Sequence, residues 1–212
     1  MKKIGIMGGT FNPIHNGHLL LAQTAYCDYG LDEVLFMPNK NPTYKDATLL
    51  ASNEARVEMI KRAILNNPAF QLSTLELERE GNTYTVDTLD ILTNRNPDTQ
   101  YYFIMGADSL FYFDAWRQPE EILKKAILLV ANRNQMSESA LKGQIEYLKN
   151  QYENVSIELL EAPAFAVSSY DIRERIKDER NVQYMTPDLV IAYMKKHGLY
   201  RKEYNDEPST DA

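Results

Sequence analysis

Short apolar runs alternate with longer amphipathic ones along this chain. The apolar runs cover residues 4–7, 34–37, 70–75, 101–105, 127–131 and 155–159, and their lengths and flanks predict strands. Between them, residues 17–29, 53–66, 86–94, 120–124 and 137–151 predict helices. Strand alternating with helix is the pattern of a parallel central sheet with helices on both faces, so the fold class is α/β. The first, second, fourth and fifth apolar runs suit central strands. Residues 70–75 alternate only weakly and suit a place nearer an edge.

Turn chemistry adds boundaries. Pro119 fits the first turn of a helix, and Thr186-Pro187-Asp188 predicts an N-cap, a first-turn proline and a dipole-matched acid. That last helix should stop at Gly198, after Lys195, Lys196 and His197. One domain over residues 1–202 is expected, followed by a polar tail at 203–212 that lacks core-forming residues. The polar stretch 39–50 is the longest connection in the first half and a candidate covering loop for a site.

Composition narrows the partners. A net charge of −7 argues against nucleic acid and against anionic membranes, which need a basic surface. It leaves room for a small anionic ligand held by local donors. The lone cysteine, Cys27, sits in the first predicted helix, where packing is its expected role. A single thiol makes no internal disulfide, which fits a reducing, cytoplasmic setting. The first apolar run is too short for a signal peptide, and no window approaches the roughly 18 apolar residues of a membrane span.

The chemistry concentrates between the first strand and the first helix, in Gly8-Gly9-Thr10-Phe11-Asn12-Pro13-Ile14-His15-Asn16-Gly17-His18. A glycine turn that feeds a helix cradles phosphates in α/β proteins. The glycine spacing is not G-x-G-x-x-G, and no Gly-Lys-Ser/Thr follows, so neither common nucleotide motif applies. His15 and His18 lie three apart at a helix start and can share a side. Imidazole N–H groups can donate to phosphate oxygens. Zinc needs three or four ligands, and the remaining histidine, His197, lies at the far end of the chain. A mixed histidine and carboxylate site stays open, though no spacing supports it, and so does a pair of satisfied surface histidines.

Further along, Ser168-x-x-Asp171 reads as a capping box, with Arg173 one turn into its helix. That arrangement serves either a phosphate, through free amides and a bidentate arginine, or a plain capped surface helix. Asp108 follows a predicted strand, where it could face a ligand or cap the next helix. Lys40 and Lys45 lie in the 39–50 stretch and Arg133 follows the fifth strand.

Gly9 to His18 resembles the G-x-F-x-P-x-H-x-G-H signature of the nucleotidyltransferase superfamily. From residue 2 to about 200 the chain is similar to the bacterial nicotinate-mononucleotide adenylyltransferases. The likeness also rests on Tyr84-Thr85-Val86-Asp87-Thr88-Leu89, Gly106-Ala107-Asp108-Ser109, Trp116-Arg117 and Val167 to Arg173. The resemblance implies a single-domain Rossmann-like fold and adenylyl transfer from ATP to nicotinate mononucleotide, with pyrophosphate as the other product. It implies catalytic roles for His15, His18 and Arg173. It places ATP against Gly8, Gly9, Thr10, Phe11, His15, His18, Gly106, Asp108, Ser168, Ile172 and Arg173. It places nicotinate mononucleotide against Gly9, Lys45, Tyr84, Thr85, Trp116 and Arg133, the Trp116 ring serving as a wall for the pyridine. Mg²⁺ on the ATP phosphates is implied, with no metal held by protein side chains and no prosthetic group.

Asn12, Tyr44 and Tyr170 stand where relatives often carry Asp, His and Thr. Nicotinamide mononucleotide or phosphopantetheine as acceptor, and a non-catalytic nucleotide-binding regulator, are the competing readings. Homo-oligomerisation stays open.

Overall fold

The computed structural model describes residues 1–40, 50–132, 137–153, 155–163 and 165–201. The expected tail at 203–212 and most of the 39–50 stretch, including Tyr44 and Lys45, lie outside the described residues, as does Arg133.

Six strands form one sheet: β1 (Lys2–Gly9), β2 (Glu33–Pro38), β3 (Phe70–Leu72), β4 (Thr99–Gly106), β5 (Ala126–Ala131) and β6 (Ile157–Leu160). Their order is β3-β2-β1-β4-β5-β6, and every neighbouring pair is parallel. The chain winds outward from β1 in one direction and then from β4 in the other. The carboxyl ends of β1 and β4 therefore flank a topological switch point, where open α/β sheets bind their ligands. The weakly alternating third run is indeed an edge strand.

Helices α1 (Asn16–Asp28), α2 (Asn53–Ile64), α3 (Thr85–Arg95), α4 (Ala107–Phe111), α5 (Pro119–Lys125), α6 (Glu138–Gln151), α7 (Ser169–Lys177) and α8 (Asp188–Lys196) cover the two faces. Strand side chains alternate between two cores. Met7, Val34, Phe36 and Ile104 meet α1, α2, α7 and α8 on one face. Ile6, Met37, Met105 and Leu128 meet α3, α4, α5 and α6 on the other. Burial on both faces is why the central strands read as unbroken apolar runs. Gly5 belongs to this packing. A Cβ there would come within 2.9 Å of Leu31 Cδ1.

Several boundaries shift from the expectations. The third strand ends at Leu72, because Leu77 N–H turns back to Thr74 O and carries Leu75 into the α3-side core. Thr186 is not an N-cap. Its hydroxyl donates to Ile14 O at 2.8 Å, and Pro187 takes the cap position, so α8 starts one residue later. Gly198 does end that helix, at φ +62, with Leu199 N–H reaching Met194 O. Pro119 opens α5 as expected. Cys27 is exposed rather than packed, where it accepts from Gln23 Nε2. No helix among the described residues is long and apolar enough to cross a membrane.

Candidate active site

The carboxyl end of β1 runs into a turn whose carbonyls are claimed from distant elements. Arg56 Nη1, from α2, donates to Thr10 O at 2.7 Å. Arg173 Nη1 and Ser169 Oγ, from α7, donate to Asn12 O and Pro13 O, each at 2.8 Å. Thr186 takes Ile14 O. Asn12 Oδ1 accepts from Ala51 N–H at 3.0 Å and from the Tyr200 hydroxyl at 2.7 Å. Four carbonyls of the turn are thus held by side chains from other elements, which restrains its backbone.

Within this turn Phe11 holds φ +50, in the left-handed region, which costs a non-glycine residue about 1–3 kcal/mol. Its buried ring offsets that cost by packing edge-on against His18, at 5.0 Å, and against Phe36. The hydrophobic anchor thereby fixes the histidine beside it.

His15 is the N-cap residue of α1, and His18 lies one turn on. Their rings stack at 3.7 Å. His15 N–H donates to His18 Nδ1 at 3.2 Å. In a neutral imidazole an accepting Nδ1 leaves the proton on Nε2, so His18 presents a donor at its far edge. Gly17 makes the stack feasible. A Cβ there would lie 3.0 Å from His15 Nδ1. His18 lines a cavity, whereas His15 sits beneath it, 2% exposed.

That cavity, of about 510 Å³, opens at the switch point between the ends of β1, β2 and β4. Gly8, Gly9, His18, Asn39, Gly106 and Ser109 line one part of it. Thr83, Thr85, Thr88, Glu76 and Trp116 line another. Trp116 is braced by Phe103, in T-shaped contact at 5.9 Å, and by Phe113 at 5.4 Å, which leaves a fixed aromatic wall. Thr85 begins α3, whose N-cap Tyr84 makes no side-chain cap bond. The first-turn amides of that helix therefore lie near the cavity without a cap. A larger cavity of about 1220 Å³ lies between the end of α7 and α8. It gathers neither the glycine turn nor the stacked histidines, so the chemistry belongs to the smaller one.

The expected residues divide as follows. Gly8, Gly9, His18, Gly106, Thr85 and Trp116 converge on the cavity. Thr10, Phe11, His15, Ile172 and Arg173 form its foundation, and Arg173 is 4% exposed with its guanidinium turned to the Asn12 carbonyl. Ser168 is engaged in the capping box, its hydroxyl donating to Asp171 Oδ2 at 2.6 Å. Asp108 is exposed and does not line the cavity; Gly106 is the N-cap of α4 and Ser109 faces inward instead. Tyr84 does not line the cavity, and the Arg117 guanidinium lies 4.8 Å from its ring centre.

Two side chains of this site, Arg56 and Glu76, carry no motif signal, and Ser169 lies within the Val167 to Arg173 segment without a role of its own having been expected. Glu76 accepts from Thr88 Oγ1 at 2.8 Å and from Thr83 Oγ1 at 3.3 Å. Burial pushes its carboxyl above the usual range, against the opposite pull of those hydroxyls and of Arg79. No set of three or more His, Cys, Asp or Glu side chains gathers as a metal site among the described residues.

A sequence model described as cytidylyltransferase-like matches residues 6–175. The probable nicotinate-nucleotide adenylyltransferase of Lachnoclostridium phytofermentans is 47% identical over 200 residues, which is 94% of this chain and 100% of that protein. The chain belongs to the nicotinate-nucleotide adenylyltransferase family. Its similarity extends to the nicotinate-nucleotide adenylyltransferase of Bacillus subtilis, 41% identical over 94% of this chain and 99% of that one. Among solved structures, Plasmodium falciparum nicotinic acid mononucleotide adenylyltransferase complexed with NaAD superposes with a TM-score of 0.76. It covers 94% of this chain and 98% of its own at 20% identity, which shows the shared Rossmann-like fold. Membership of this family sets aside the phosphopantetheine and regulator readings.

Proposed function

We propose that this chain transfers the adenylyl group of ATP to nicotinate mononucleotide, giving nicotinate adenine dinucleotide and pyrophosphate. The observation that carries the reading is His18. Its Nδ1 is tied back to His15 N–H, and its ring faces the cavity shared by the glycine turn and Trp116.

The chemistry asks for little beyond placement. A phosphate monoester, with its second pKa at about 6, is already ionised at neutral pH and needs no general base. One of its oxygens forms a bond to the α-phosphorus while the bond to the β-phosphate oxygen breaks in line. Pyrophosphate departs with the electron pair, and no covalent protein nucleophile is required. Catalysis then reduces to positioning and charge stabilisation. His18 Nε2–H donates to the α-phosphate as charge grows there. His15 fixes the His18 ring by the stack and the backbone bond. Arg173 holds the turn beneath the phosphates, and in this reading its cation also faces the leaving pyrophosphate. The Trp116 wall receives the pyridine, and the uncapped amides at the start of α3 receive its carboxylate. Mg²⁺ enters on the ATP phosphates as part of the substrate. The working unit is the single domain over residues 1–202, acting on small molecules in the cytoplasm.

Pyrophosphate release measured with Mg-ATP and, in turn, nicotinate and nicotinamide mononucleotide tests this. Release with the nicotinate compound well above the nicotinamide one is expected. Equal release with both would remove the α3 amides as a carboxylate receptor.

A further inference from the structure

Among the described residues Arg56 is the largest fully buried side chain, at 0% exposure. It forms no salt bridge among the described residues, and the Glu54 carboxylate acts on it only through space. Its Nη2 donates to Asn39 O at 2.7 Å and also bonds Asn53 Oδ1, while Nη1 holds Thr10 O. Its Nε has no hydrogen-bond partner among the described residues. Burying a cation without an anion costs stability, and a hydrophobic side chain of similar size would avoid the cost. Burial does draw its pKa down, but an arginine stays protonated in proteins. A retained cost of this kind calls for a return, and the two carbonyls show where it lies.

Thr10 directly follows β1 and Asn39 directly follows its neighbour β2, and Asn39 N–H also bonds Gly9 O at 3.0 Å. Both following peptides are trans. In a trans peptide the C=O and N–H point in opposite directions. Two carbonyls drawn to one guanidinium therefore turn the N–H groups of Phe11 and Lys40 away from it. Neither N–H makes a hydrogen bond among the described residues. Asn39 and Gly9 line the same cavity as Trp116.

We propose that Arg56 is a positioning residue for the phosphate of the mononucleotide acceptor, orienting the Phe11 and Lys40 amides through the carbonyls it holds. The planar fork is what lets one side chain grip both segments, which an ammonium cannot do. The proposal rests on the adenylyl-transfer reading above and sets the acceptor phosphate at the Gly9 and Asn39 end of that cavity.

The test compares wild type with Arg56→Lys and Arg56→Ala, the latter with and without guanidinium at a non-denaturing concentration. Sodium chloride at equal ionic strength is the control. Both variants should raise KM for nicotinate mononucleotide about tenfold or more while kcat falls by less. Guanidinium should lower the KM of Arg56→Ala back toward wild type, and sodium chloride should not. An unchanged KM beside a lowered melting temperature would overturn the proposal and leave Arg56 a structural clasp. So would guanidinium that restores the melting temperature without restoring KM. A wild-type protein that releases no pyrophosphate with this acceptor would instead remove the underlying reading, which keeps the two failures apart.

Discussion

The backbone N–H of His15 donates to Nδ1 of His18 at 3.2 Å, and this one bond selects which nitrogen of His18 carries its proton. The reactive edge of the site is thus set by a main-chain group in the residue three positions earlier. It follows that the His18 position needs a donor at Nε2 more than it needs an imidazole. Losing one well-aimed donor costs on the order of 3 kcal/mol in the transition state, about a hundredfold in rate. His18→Ala should therefore lower kcat about a hundredfold with an unchanged circular dichroism spectrum. His18→Gln, whose amide nitrogen can reach the same place, should recover part of the loss.

Gly17 gives a second, steric handle on the same ring pair. A Cβ at this position would sit 3.0 Å from His15 Nδ1 and 3.1 Å from its Cε1. The His15 ring cannot retreat freely, because it is buried and stacked on His18. Gly17→Ala should cost about 1–3 kcal/mol in overpacking strain, part of it as stability and part as turnover. Comparing kcat and melting temperature for this variant checks the point; wild-type values for both would mean that the stack is not needed.

Asn12 serves as an acceptor, a role for which the geometry would admit an aspartate as well. Both bonds described at its side chain, from Ala51 N–H and the Tyr200 hydroxyl, arrive at Oδ1. A carboxylate accepts both as well as an amide oxygen does. Asn12→Asp should hold stability to within about 1 kcal/mol, whereas Asn12→Ala, which strands a buried donor, should lose about 1–3 kcal/mol. Urea denaturation of the two variants separates them.

Glu76 gives the site a pH signature. Its folded-state pKa is raised, chiefly by burial. The folded protein holds that proton more tightly than the unfolded chain. The stability this group contributes is therefore full below the ordinary glutamate value and is lost as pH rises through the higher folded-state value. Relative to wild type, Glu76→Gln should gain stability steadily over that window and then level off. Denaturation curves collected from acid to neutral pH would show a flat difference if Glu76 titrates normally.

Much of this was legible in the chain. The central strands are buried on both faces, so their sequences are continuous apolar runs, and helices α2, α3, α6, α7 and α8 set apolar positions on one face. The glycine turn and the two histidines stood out because conformational need and chemistry coincide there. Residues that act through long-range contacts did not. Arg56 reads as a helix surface charge until the fold brings Thr10 and Asn39 to it across 46 and 17 positions. Thr186 looked like a cap because its local sequence is a good cap, and the Ile14 carbonyl, 172 positions away, outcompetes that use. Asp108 looked like a site residue because it follows a strand. The helix begins two residues sooner than a cap at Asp108 requires, and the Asp108 side chain is exposed. Arg173 was expected in the phosphate site, and the fold supplies a second task for it under Asn12.

The most direct measurement follows the α-phosphorus. ATP radiolabelled at that atom is incubated with Mg²⁺, nicotinate mononucleotide and the wild-type protein, and the products are separated. The account predicts that the label leaves ATP for nicotinate adenine dinucleotide, with one unlabelled pyrophosphate released per molecule formed and none of the label held on the protein. Label that stays in a nucleotide monophosphate, or that accumulates covalently on the chain, would contradict direct transfer at this cavity.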